Sequence, residues 1–462
     1  MKTFLIDAHR GLTEVTSLIC DALVLPSVEF GTTKMLPIAS IENLPNEVLM
    51  QIFELACYDE YLYGELATRS ISLVSKRWQS LIYTIPKIWN KFTLQQSSEV
   101  IDACLKRVGT FDIEVNLHDL VTPIKDTLVI PRVLDQLLPY SRQWETLALC
   151  AIGSPTTSAD LFFKTIRDSC GSLELPNLRT LRIVRLVDDG PVDDDLSGDL
   201  KLHLYSSWSM PNLENLRVGG FVPHTSLGPT LLFCSLSLPD QIMDPMTLFD
   251  FLRSLSRIRE LELIIKSFDD GWWSTLPVHL PTLQKLTIEY MDTQPDFASS
   301  FIALLDIPNV IEMQLSASLS IWSDLYDLLD CFGQERQYQS IKKFKVKLNR
   351  STTAFDHFIN KIFESLPNLE HFGINANDKH DSNMASTFSC PPLKSLRFEK
   401  CDAFNGSVMT AILNQIERDG RLDKLEKVEV SDCPTFRDNR YDEIMQSEKL
   451  KGKVSWDVHC AY

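Results

Sequence analysis

The sequence predicts an α/β protein, in which a small all-α region is followed by an irregular repeat array with a curved parallel sheet. Three observations support this fold class. Apolar residues recur at helical spacing between Leu44 and Trp89. Beyond that stretch, segments with strand-like alternation and segments with helical spacing follow each other. From Leu175 onward, a short pattern of leucine, proline and spaced apolar residues recurs.

Length and charge set limits on organisation and partners. At 462 residues and 44% hydrophobic content, the chain has room for one small and one large unit, or for an elongated array. We expect an N-terminal segment with a possible short helix at 1–39, a helical unit at 40–90 and the repeat array at 91–462. The net charge of −17 argues against a general nucleic-acid surface and against docking on anionic membranes.

Cysteine usage and the N-terminal residues indicate a reducing compartment. The eleven cysteines are scattered and include no Cys-x-x-Cys pair, so we expect free thiols. The apolar run that starts at Phe4 stops at Asp7, which argues against a signal peptide. The tract from Val15 to Val28 contains Asp21 and is too short to span a bilayer. We therefore expect the protein in the cytoplasm, the nucleus or both.

The stretch from Leu44 to Trp89 has the pattern of two short helices. Pro45 suits the first helical turn, and Asn43 is a candidate cap before it. Val74 and Trp78 begin the apolar face of the second helix. A pair of helices of this size is too small to be stable alone, so it must pack against the rest of the chain or against a partner.

The same stretch carries three short motifs in a fixed order. They read Leu-Pro-x-Glu-Val-Leu-x-x-Ile-Phe from Leu44, Val-Ser-Lys-Arg-Trp from Val74, and Pro-x-Ile-Trp from Pro86. Together they resemble an F-box, of the F-box-like type found in large fungal families. One departure is the break from Ala56 to Arg69, which is longer and more polar than many F-boxes carry. The resemblance implies docking on the Skp-type adaptor of a cullin-RING (SCF-type) ubiquitin ligase.

The resemblance also implies which residues contact the adaptor. For Trp78 and Trp89 the alternative is that they form the core of the helical pair, and for Trp89 we expect burial against the first repeat. Aliphatic and aromatic anchors on a small helical module suit a partner interface. The predicted adaptor-binding residues are Leu44, Pro45, Val48, Leu49, Ile52, Phe53, Leu55, Val74 and Trp78.

Six segments of the C-terminal region share one form, in which proline precedes three spaced apolar residues. They begin at Leu175, Met210, Leu280, Ile307, Leu366 and Cys390, and looser copies begin at Trp144, Ile258, Ile341 and Leu425. Most neighbours are roughly 24–35 residues apart, which is the range of leucine-rich repeats. Helices that connect the strands are expected at Phe249–Leu255, Leu325–Phe332, Phe355–Leu366 and Val408–Ile416.

A second feature is typical of leucine-rich repeats. In those repeats an Asn or Cys lies three residues beyond the last apolar position of the strand. Asn349, Asn377, Cys401 and Cys433 lie at that place. The sequence therefore predicts an irregular leucine-rich-repeat-like solenoid, in which each unit must stack on its neighbours.

Alternate residues of each predicted strand point away from the core, toward the concave side of the array. Simple solvation is one interpretation of these positions. Basic residues among them stand out against the acidic chain, and we hypothesise that they bind an acidic or phosphorylated segment of a client protein. The client-binding candidates are Arg182, Arg217, Lys345, Lys347 and Arg397. The other outward positions are Glu262, Thr287, Gln314, Asn375 and Glu429.

No catalytic, metal or cofactor motif is found in the sequence. The patterns of nucleophile elbows, zinc proteases, dinucleotide-binding folds and phosphate-binding loops are missing, and the nine histidines are dispersed. The acidic stretch from Val187 to Leu200 fits a solvated loop better than a calcium site. Cys401 and Cys433 fit buried structural thiols better than nucleophiles.

The resemblance to F-box proteins implies a non-catalytic recognition subunit of a ubiquitin ligase, and the absence of these motifs agrees with a chain that needs no cofactor. Its partners would be the Skp-type adaptor, the cullin and an unknown client protein. Two alternatives remain open at this point. In the first alternative, the chain is a leucine-rich-repeat interaction protein that acts outside a ubiquitin ligase. In the second, it is an enzyme with an unrecognised site in its repeats.

Overall fold

The structure is a computed structural model, and it describes most of the chain. The described residues are 41, 44–57, 63–119, 129–152, 156–186, 205, 207–238, 245–265, 276–291, 301–318, 338–348, 355–376, 389–401, 407–433 and 450–457. The possible helix in 1–39, the Asn43 cap, the acidic stretch and the predicted helix Leu325–Phe332 lie outside these residues, as do Asn349 and Asn377.

The chain divides into two compact units. The first comprises Met1–Leu117 and Arg132–Thr146, and the second His118–Pro131 and Leu147–Tyr462. The sequence-based division at residues 39 and 90 stays a prediction.

The first unit is mainly helical. Its elements are α1 (Asn46–Cys57), α2 (Tyr63–Ser72), α3 (Lys76–Tyr83), a 3-10 turn (Pro86–Ile88), β1 (Lys91–Thr93), α4 (Ser98–Val108), most of β2 (Ile113–Asp119), most of α5 (Val129–Leu137) and a second 3-10 turn (Leu138–Gln143). β1 and β2 pair in parallel. The predicted pair of helices is confirmed as α1 and α3, and the break between them contains α2, which the sequence reading missed.

Capping side chains explain where two of these helices begin. The hydroxyl of Ser75 accepts a hydrogen bond from the backbone N–H of Trp78, at 3.2 Å, at the start of α3. Ser97 does the same for Val100 at the start of α4. α4 ends at Gly109, whose φ of +61° is a conformation that glycine adopts without strain.

The second unit contains a large parallel sheet with helices between its strands. Its elements are most of β3 (Trp144–Ile152), α6 (Thr156–Cys170), β4 (Thr180–Leu186), β5 (Asn215–Gly219), a 3-10 turn (Thr225–Thr230), β6 (Phe233–Ser237), α7 (Pro245–Ser254), β7 (Glu260–Ile265), β8 (Val278–His279), β9 (Lys285–Met291), β10 (Leu305–Asp306), β11 (Glu312–Ser318), β12 (Lys343–Leu348), α8 (Phe355–Ser365), β13 (His371–Ala376), β14 (Ser395–Glu399), α9 (Ser407–Arg418), a 3-10 turn (Leu422–Lys424), β15 (Lys427–Ser431) and β16 (Val454–Asp457).

From β4 to β16, each strand of this sheet lies beside the strands that precede and follow it in the chain. Only β8 and β10 depart from that order among the described strands, because they pair with each other in a separate two-stranded sheet. Every pairing from β4 to β16 is parallel. The predicted α/β class with a large parallel sheet is therefore confirmed.

One face of the sheet is apolar and buried. The register aligns one inward position across the strands, and its members are Leu181, Leu216, Cys234, Leu261, Leu286, Met313, Phe344, Phe372, Leu396 and Val428. Helix α8 packs on this face, since the Phe363 ring lies edge-on to Phe372 with centroids 5.3 Å apart. The residues between these inward positions point to the opposite face of the sheet.

The recurring Leu-Pro-Asn segments form turns that brace neighbouring repeats. The N–H of Val310 donates to the carbonyl of Ile307 at 3.3 Å, which closes one such turn. The side chain of Asn309 donates to the carbonyl of Pro281 in the preceding segment at 2.7 Å. Asn212 and Asn368 make equivalent bonds to Pro176 and Gln339. Three copies of the motif thus supply a side-chain donor to the segment before them.

Strand β6 was missed by the sequence analysis. It lacks the proline motif and follows a 3-10 turn instead, in which Gly228 lies against the end of α7. Three of the predicted connecting helices are confirmed as α7, α8 and α9. Within the described residues, no helix is long and apolar enough to cross a membrane.

Candidate functional site

A small apolar cluster holds the helices of the first unit together. Its buried members are Leu49, Phe53, Cys57, Trp78, Ile82 and Ile85. The Phe53 and Trp78 rings lie with their centroids 5.0 Å apart, so α1 and α3 pack directly on each other. Three residues predicted to bind the adaptor, Leu49, Phe53 and Trp78, therefore lie inside this cluster. In the free chain, these three side chains are buried beneath the surface of the helices and are not available for contact with a partner.

The other predicted adaptor residues remain at the surface. Leu55 is 78% exposed and Val74 is 54% exposed, while Pro45 and Val48 are also exposed. Leu44 and Ile52 are half-buried against the cluster.

Two exposed apolar residues of the same region were missed by the sequence analysis. Leu73 is 74% exposed and lies next to Val74, and Tyr83 ends α3. Leu73 could have been found, because it directly precedes the Val-Ser-Lys-Arg-Trp motif. We refer below to the exposed apolar residues Pro45, Val48, Leu55, Leu73 and Val74 as the apolar helical surface.

Hydrogen bonds hold the backbone beneath this surface. The N–H of Leu49 donates to the carbonyl of Pro45 at 3.1 Å, so Pro45 directly precedes α1 and accepts a helical bond. The N–H groups of Leu73 and Val74 both donate to carbonyls of α2, at 3.2 Å each. Because this backbone is already held in place, covering the side chains on it costs little further backbone entropy.

Arg77 connects the start of α1 to α3. Its Nε and Nη2 atoms donate to the side-chain oxygen of Asn46 at 3.0 and 2.7 Å. Nη2 also donates to the carbonyl of Leu44 at 2.5 Å. The position of Leu44 and Pro45 relative to α3 therefore depends on one guanidinium group.

Trp89 packs between the helical cluster and α4. Its Nε1 donates to the carbonyl of Ile82 at 3.0 Å. The guanidinium carbon of Arg107 lies 4.7 Å from the centroid of the Trp89 ring and 4.9 Å from that of Tyr83. Trp89 is half-buried, and both sets of contacts are structural.

The outward positions of the large sheet form rows across its strands. One row contains Arg182, Arg217, Ser235, Glu262, Thr287, Gln314, Lys345, Gly373, Arg397 and Glu429. Lys347 and Asn375 lie in the next row. The structure thus places the ten outward positions named from the sequence in two adjacent rows, and fills the two remaining places in the first row with Ser235 and Gly373.

The five client-binding candidates do not form one cluster. Arg182 and Arg217 are neighbours on β4 and β5, whereas Lys345, Lys347 and Arg397 lie on β12 and β14. Five spacings separate β5 from β12 and seven separate it from β14, which is roughly 24–34 Å. From Arg182 on β4 to Arg397 on β14 there are eight spacings, so an extended client segment needs about eleven residues to reach both groups.

The basic residues of β12 and β14 share one carboxylate. Lys345 Nζ lies 3.7 Å from Oε2 of Glu399, and a guanidinium nitrogen of Arg397 lies 3.4 Å from the same oxygen. Lys345 crosses Gly373 to reach it, since a Cβ atom added to Gly373 would lie 3.4 Å from Lys345 Cγ. Such half-exposed ion pairs contribute only about 0–1 kcal/mol each, so an anionic partner can replace them.

The other basic pair has a different environment. The guanidinium of Arg217 lies 5.2 Å from the centroid of the Phe233 ring. Burial, with the charge of Arg182 as a second cause, lowers the pKa of His118 to about 4. Burial also raises the pKa of the Cys150 thiol, although Arg182 opposes that shift.

Cys401 and Cys433 are buried structural thiols, as predicted. Their exposed fractions are 0% and 2%. The Cys433 sulfur accepts from the N–H of Cys401 at 3.3 Å, and the Cys401 thiol donates to the carbonyl of Glu399 at 3.4 Å. The eight cysteines that the structure describes are free thiols. In the same part of the chain, no group of three or more His, Cys, Asp or Glu residues is placed to hold a metal ion.

Comparison with known proteins identifies only the N-terminal region. Residues 41–95 match the family model described as F-box-like, and this segment includes α1, α2, α3 and β1. No curated protein matches the chain. F-box domains generally bind Skp-type adaptors in SCF complexes, and the proteins that carry them are typically non-catalytic. The first unit of this chain therefore contains an F-box-like domain, which suggests a general role in a ubiquitin ligase.

Proposed function

We propose that this chain is the client-receptor subunit of an SCF-type ubiquitin ligase. The observation that carries the proposal is the F-box-like match at residues 41–95, which coincides with the apolar helical surface. In this proposal the apolar helical surface binds a Skp-type adaptor, and the outward face of the large sheet binds a client protein.

The adaptor contact is supported by the arrangement of the exposed residues. Val48 and Leu55 are seven residues apart, so they share one side of α1, while Leu49 and Phe53 face the cluster. Burying one fully exposed Leu or Val contributes roughly 1.5–3 kcal/mol. Leu55 and Leu73, the two most exposed of these residues, would therefore contribute most to a contact with a partner.

The sheet-containing unit is proposed to be an irregular leucine-rich-repeat-like solenoid. Parallel strands in chain order, with one strand per repeat, support this. The bracing bonds of Asn212, Asn309 and Asn368 and the buried thiols of Cys401 and Cys433 recur at equivalent places of different repeats. A stack of this type offers a long row of outward residues to a client.

In the proposed mechanism, the receptor acts by positioning the client protein. The receptor holds a client lysine near the ubiquitin that the ligase carries, which converts an encounter in solution into an intramolecular event. Linking two partners in this way raises the effective concentration to about millimolar or above. The side chains of this chain take no chemical part in ubiquitin transfer.

The experiment is affinity purification with mass spectrometry of three forms of the chain. Leu55→Asp combined with Val74→Asp alters the apolar helical surface and leaves the buried cluster in place. Leu161→Asp is the matched control, because Leu161 is a 48% exposed leucine on α6 of the second unit. We expect the double variant to lose adaptor and cullin, and the control to keep both.

Two results would argue against the proposal. Retention of the adaptor by the double variant would show that this surface is not the contact. An adaptor without cullin in the wild-type sample would favour an interaction protein that acts outside a ubiquitin ligase.

A further inference from the structure

From β7 to β14, the central part of the outward face of the large sheet, the charges are separated into two halves. The acidic half is formed by β7, β9 and β11, which are neighbours in the sheet. Four carboxylates and one ammonium group give it a net charge of −3. Its outward charged residues are Glu260, Glu262, Lys285, Glu289 and Glu312.

The basic half follows directly, on β12, β13 and β14. Four cationic groups and one carboxylate give it a net charge of +3, in a chain whose net charge is −17. Its outward charged residues are Lys343, Lys345, Lys347, Arg397 and Glu399.

The internal ion pairs do not remove this separation. Lys285 pairs with Glu260 at 3.4 Å inside the acidic half, and Glu399 pairs with Lys345 and Arg397 inside the basic half. One pair crosses the boundary, between Glu312 and Lys343 at 3.7 Å. Each half therefore keeps an excess of its own sign.

Three charged side chains make no ion pair with another described residue. Glu262 and Glu289 lie on β7 and β9, and Lys347 lies on β12. All three are half-buried. The strand between them, β11, has Gln314 and Ser316 at its central outward positions, which are uncharged. The unpaired acidic and basic groups thus lie on opposite sides of these uncharged central positions of β11.

We propose that this face binds an extended client segment with a basic end and an acidic or phosphorylated end. The basic end lies over the acidic half, and the anionic end lies over the basic half. This inference rests on the client-receptor role proposed above and gives the chemistry of the client. It revises the sequence-based hypothesis, in which the whole row recognises an anion.

The dimensions of the face set the length of the segment. Six strands from β7 to β14 contain five spacings of about 4.8 Å, or roughly 24 Å in total. An extended chain advances about 3.3–3.6 Å per residue, so about seven or eight residues cross both halves. Since a reversed charge order would place like charges together, the face also selects the orientation of the segment.

The test uses fluorescence anisotropy with the full-length chain and four labelled eight-residue peptides. Two block peptides carry four lysines and four glutamates in either order along the chain, a third alternates lysine and glutamate, and a fourth has eight glutamates. We expect the better block peptide to bind about tenfold more tightly than the alternating one at low salt. This difference shrinks at high salt, where the screening length falls to about 3 Å at 1 M. Replacing the glutamates of the better block peptide with phosphoserine shows whether the face prefers carboxylate or phosphate groups.

Charge reversal distinguishes the two halves. Glu262→Lys with Glu289→Lys should weaken the block peptide and strengthen the all-glutamate peptide. Lys345→Glu with Lys347→Glu should weaken both. Glu364→Lys on α8 and Lys424→Glu are matched controls at exposed positions outside the outward rows, and neither should change binding.

Three outcomes would overturn the inference. They are equal binding of block and alternating peptides, tightest binding of the all-glutamate peptide to the wild-type chain, and no binding of any peptide. Adaptor binding is measured separately by co-purification. A chain that binds the adaptor but no peptide contradicts this inference alone, while a chain that binds the block peptide but no adaptor contradicts the proposed ligase role.

Discussion

Arg77 donates two hydrogen bonds to the side-chain oxygen of Asn46, at 2.7 and 3.0 Å, and so joins α3 to the first residue of α1. The same guanidinium group reaches the carbonyl of Leu44. The two halves of the F-box-like sequence, 31 residues apart in these bonds, are thereby held in one geometry. The exposed apolar residues beside them depend on that geometry.

Arg77→Ala should lower the stability of the helical unit and weaken adaptor binding. Hydrogen bonds to a charged donor contribute about 1.5–3 kcal/mol, and exposure reduces this to about 1 kcal/mol here. Chemical denaturation and co-purification with the adaptor measure the two effects. Lys76→Ala is the control, because Lys76 bonds only to Gln79 within α3 among the described residues. Equal behaviour of the two variants would contradict the role of Arg77.

Arg107→Ala should destabilise the packing of α4 on Trp89 and Tyr83. Each cation–π contact contributes about 0.5–1 kcal/mol at an exposed site, so we expect a loss of about 1–2 kcal/mol in the free energy of unfolding. Lys106→Ala changes a neighbouring exposed cation and should have little effect. A denaturation midpoint that moves equally in both variants would disprove the contact's contribution.

Gly228→Ala should be strongly destabilising, because the new Cβ atom would lie 2.8 Å from the backbone carbonyl carbon of Ser254. Overpacking of this kind costs about 1–3 kcal/mol. Gly373→Ala is the matched control, since its Cβ atom would meet the side chains of Lys345 and Arg397 only at ordinary contact distances, 3.4 Å and above. Thermal unfolding of both variants checks the difference, and a lower melting temperature for Gly373→Ala than for Gly228→Ala would refute it.

Asn309→Ala should destabilise the repeats on either side of it, because Asn309 donates to the carbonyl of Pro281 at 2.7 Å. Loss of this bond should cost about 1 kcal/mol in the free energy of unfolding. Asn309→Asp also lacks the donor and should not restore stability. Gln284→Ala, at an exposed position nearby, serves as the control. Full stability of Asn309→Asp would show that the donor is unimportant.

Stability should fall as the pH decreases from about 6.5 to about 4, owing to His118. Burial, and secondarily Arg182, lowers its pKa in the folded chain to about 4 from the ordinary 6.5. Between these values the unfolded chain binds more protons, so acid favours unfolding. The effect is about 1–3 kcal/mol. His118→Gln should flatten this part of the pH profile of unfolding, and an unchanged slope would exclude His118 as its source.

Local sequence patterns predicted the helices α1 and α3, the class of the fold and most strands of the sheet. They could do so because helical period, capping and proline-containing turns act between residues a few positions apart. Strand β6 escaped because its turn contains Gly228 in place of the proline motif. Here a close approach to Ser254, distant in sequence, determines the local structure.

The sequence by itself determined which residues are apolar, which are charged and how often each pattern returns. Only the tertiary structure decided that Leu49 and Phe53 are buried while Leu55 is exposed, because that depends on where α3 packs. It also decided that the outward charges from β7 to β14 fall into two halves. Parallel pairing places residues such as Glu312 and Lys343 side by side, although they are a full repeat apart in the chain.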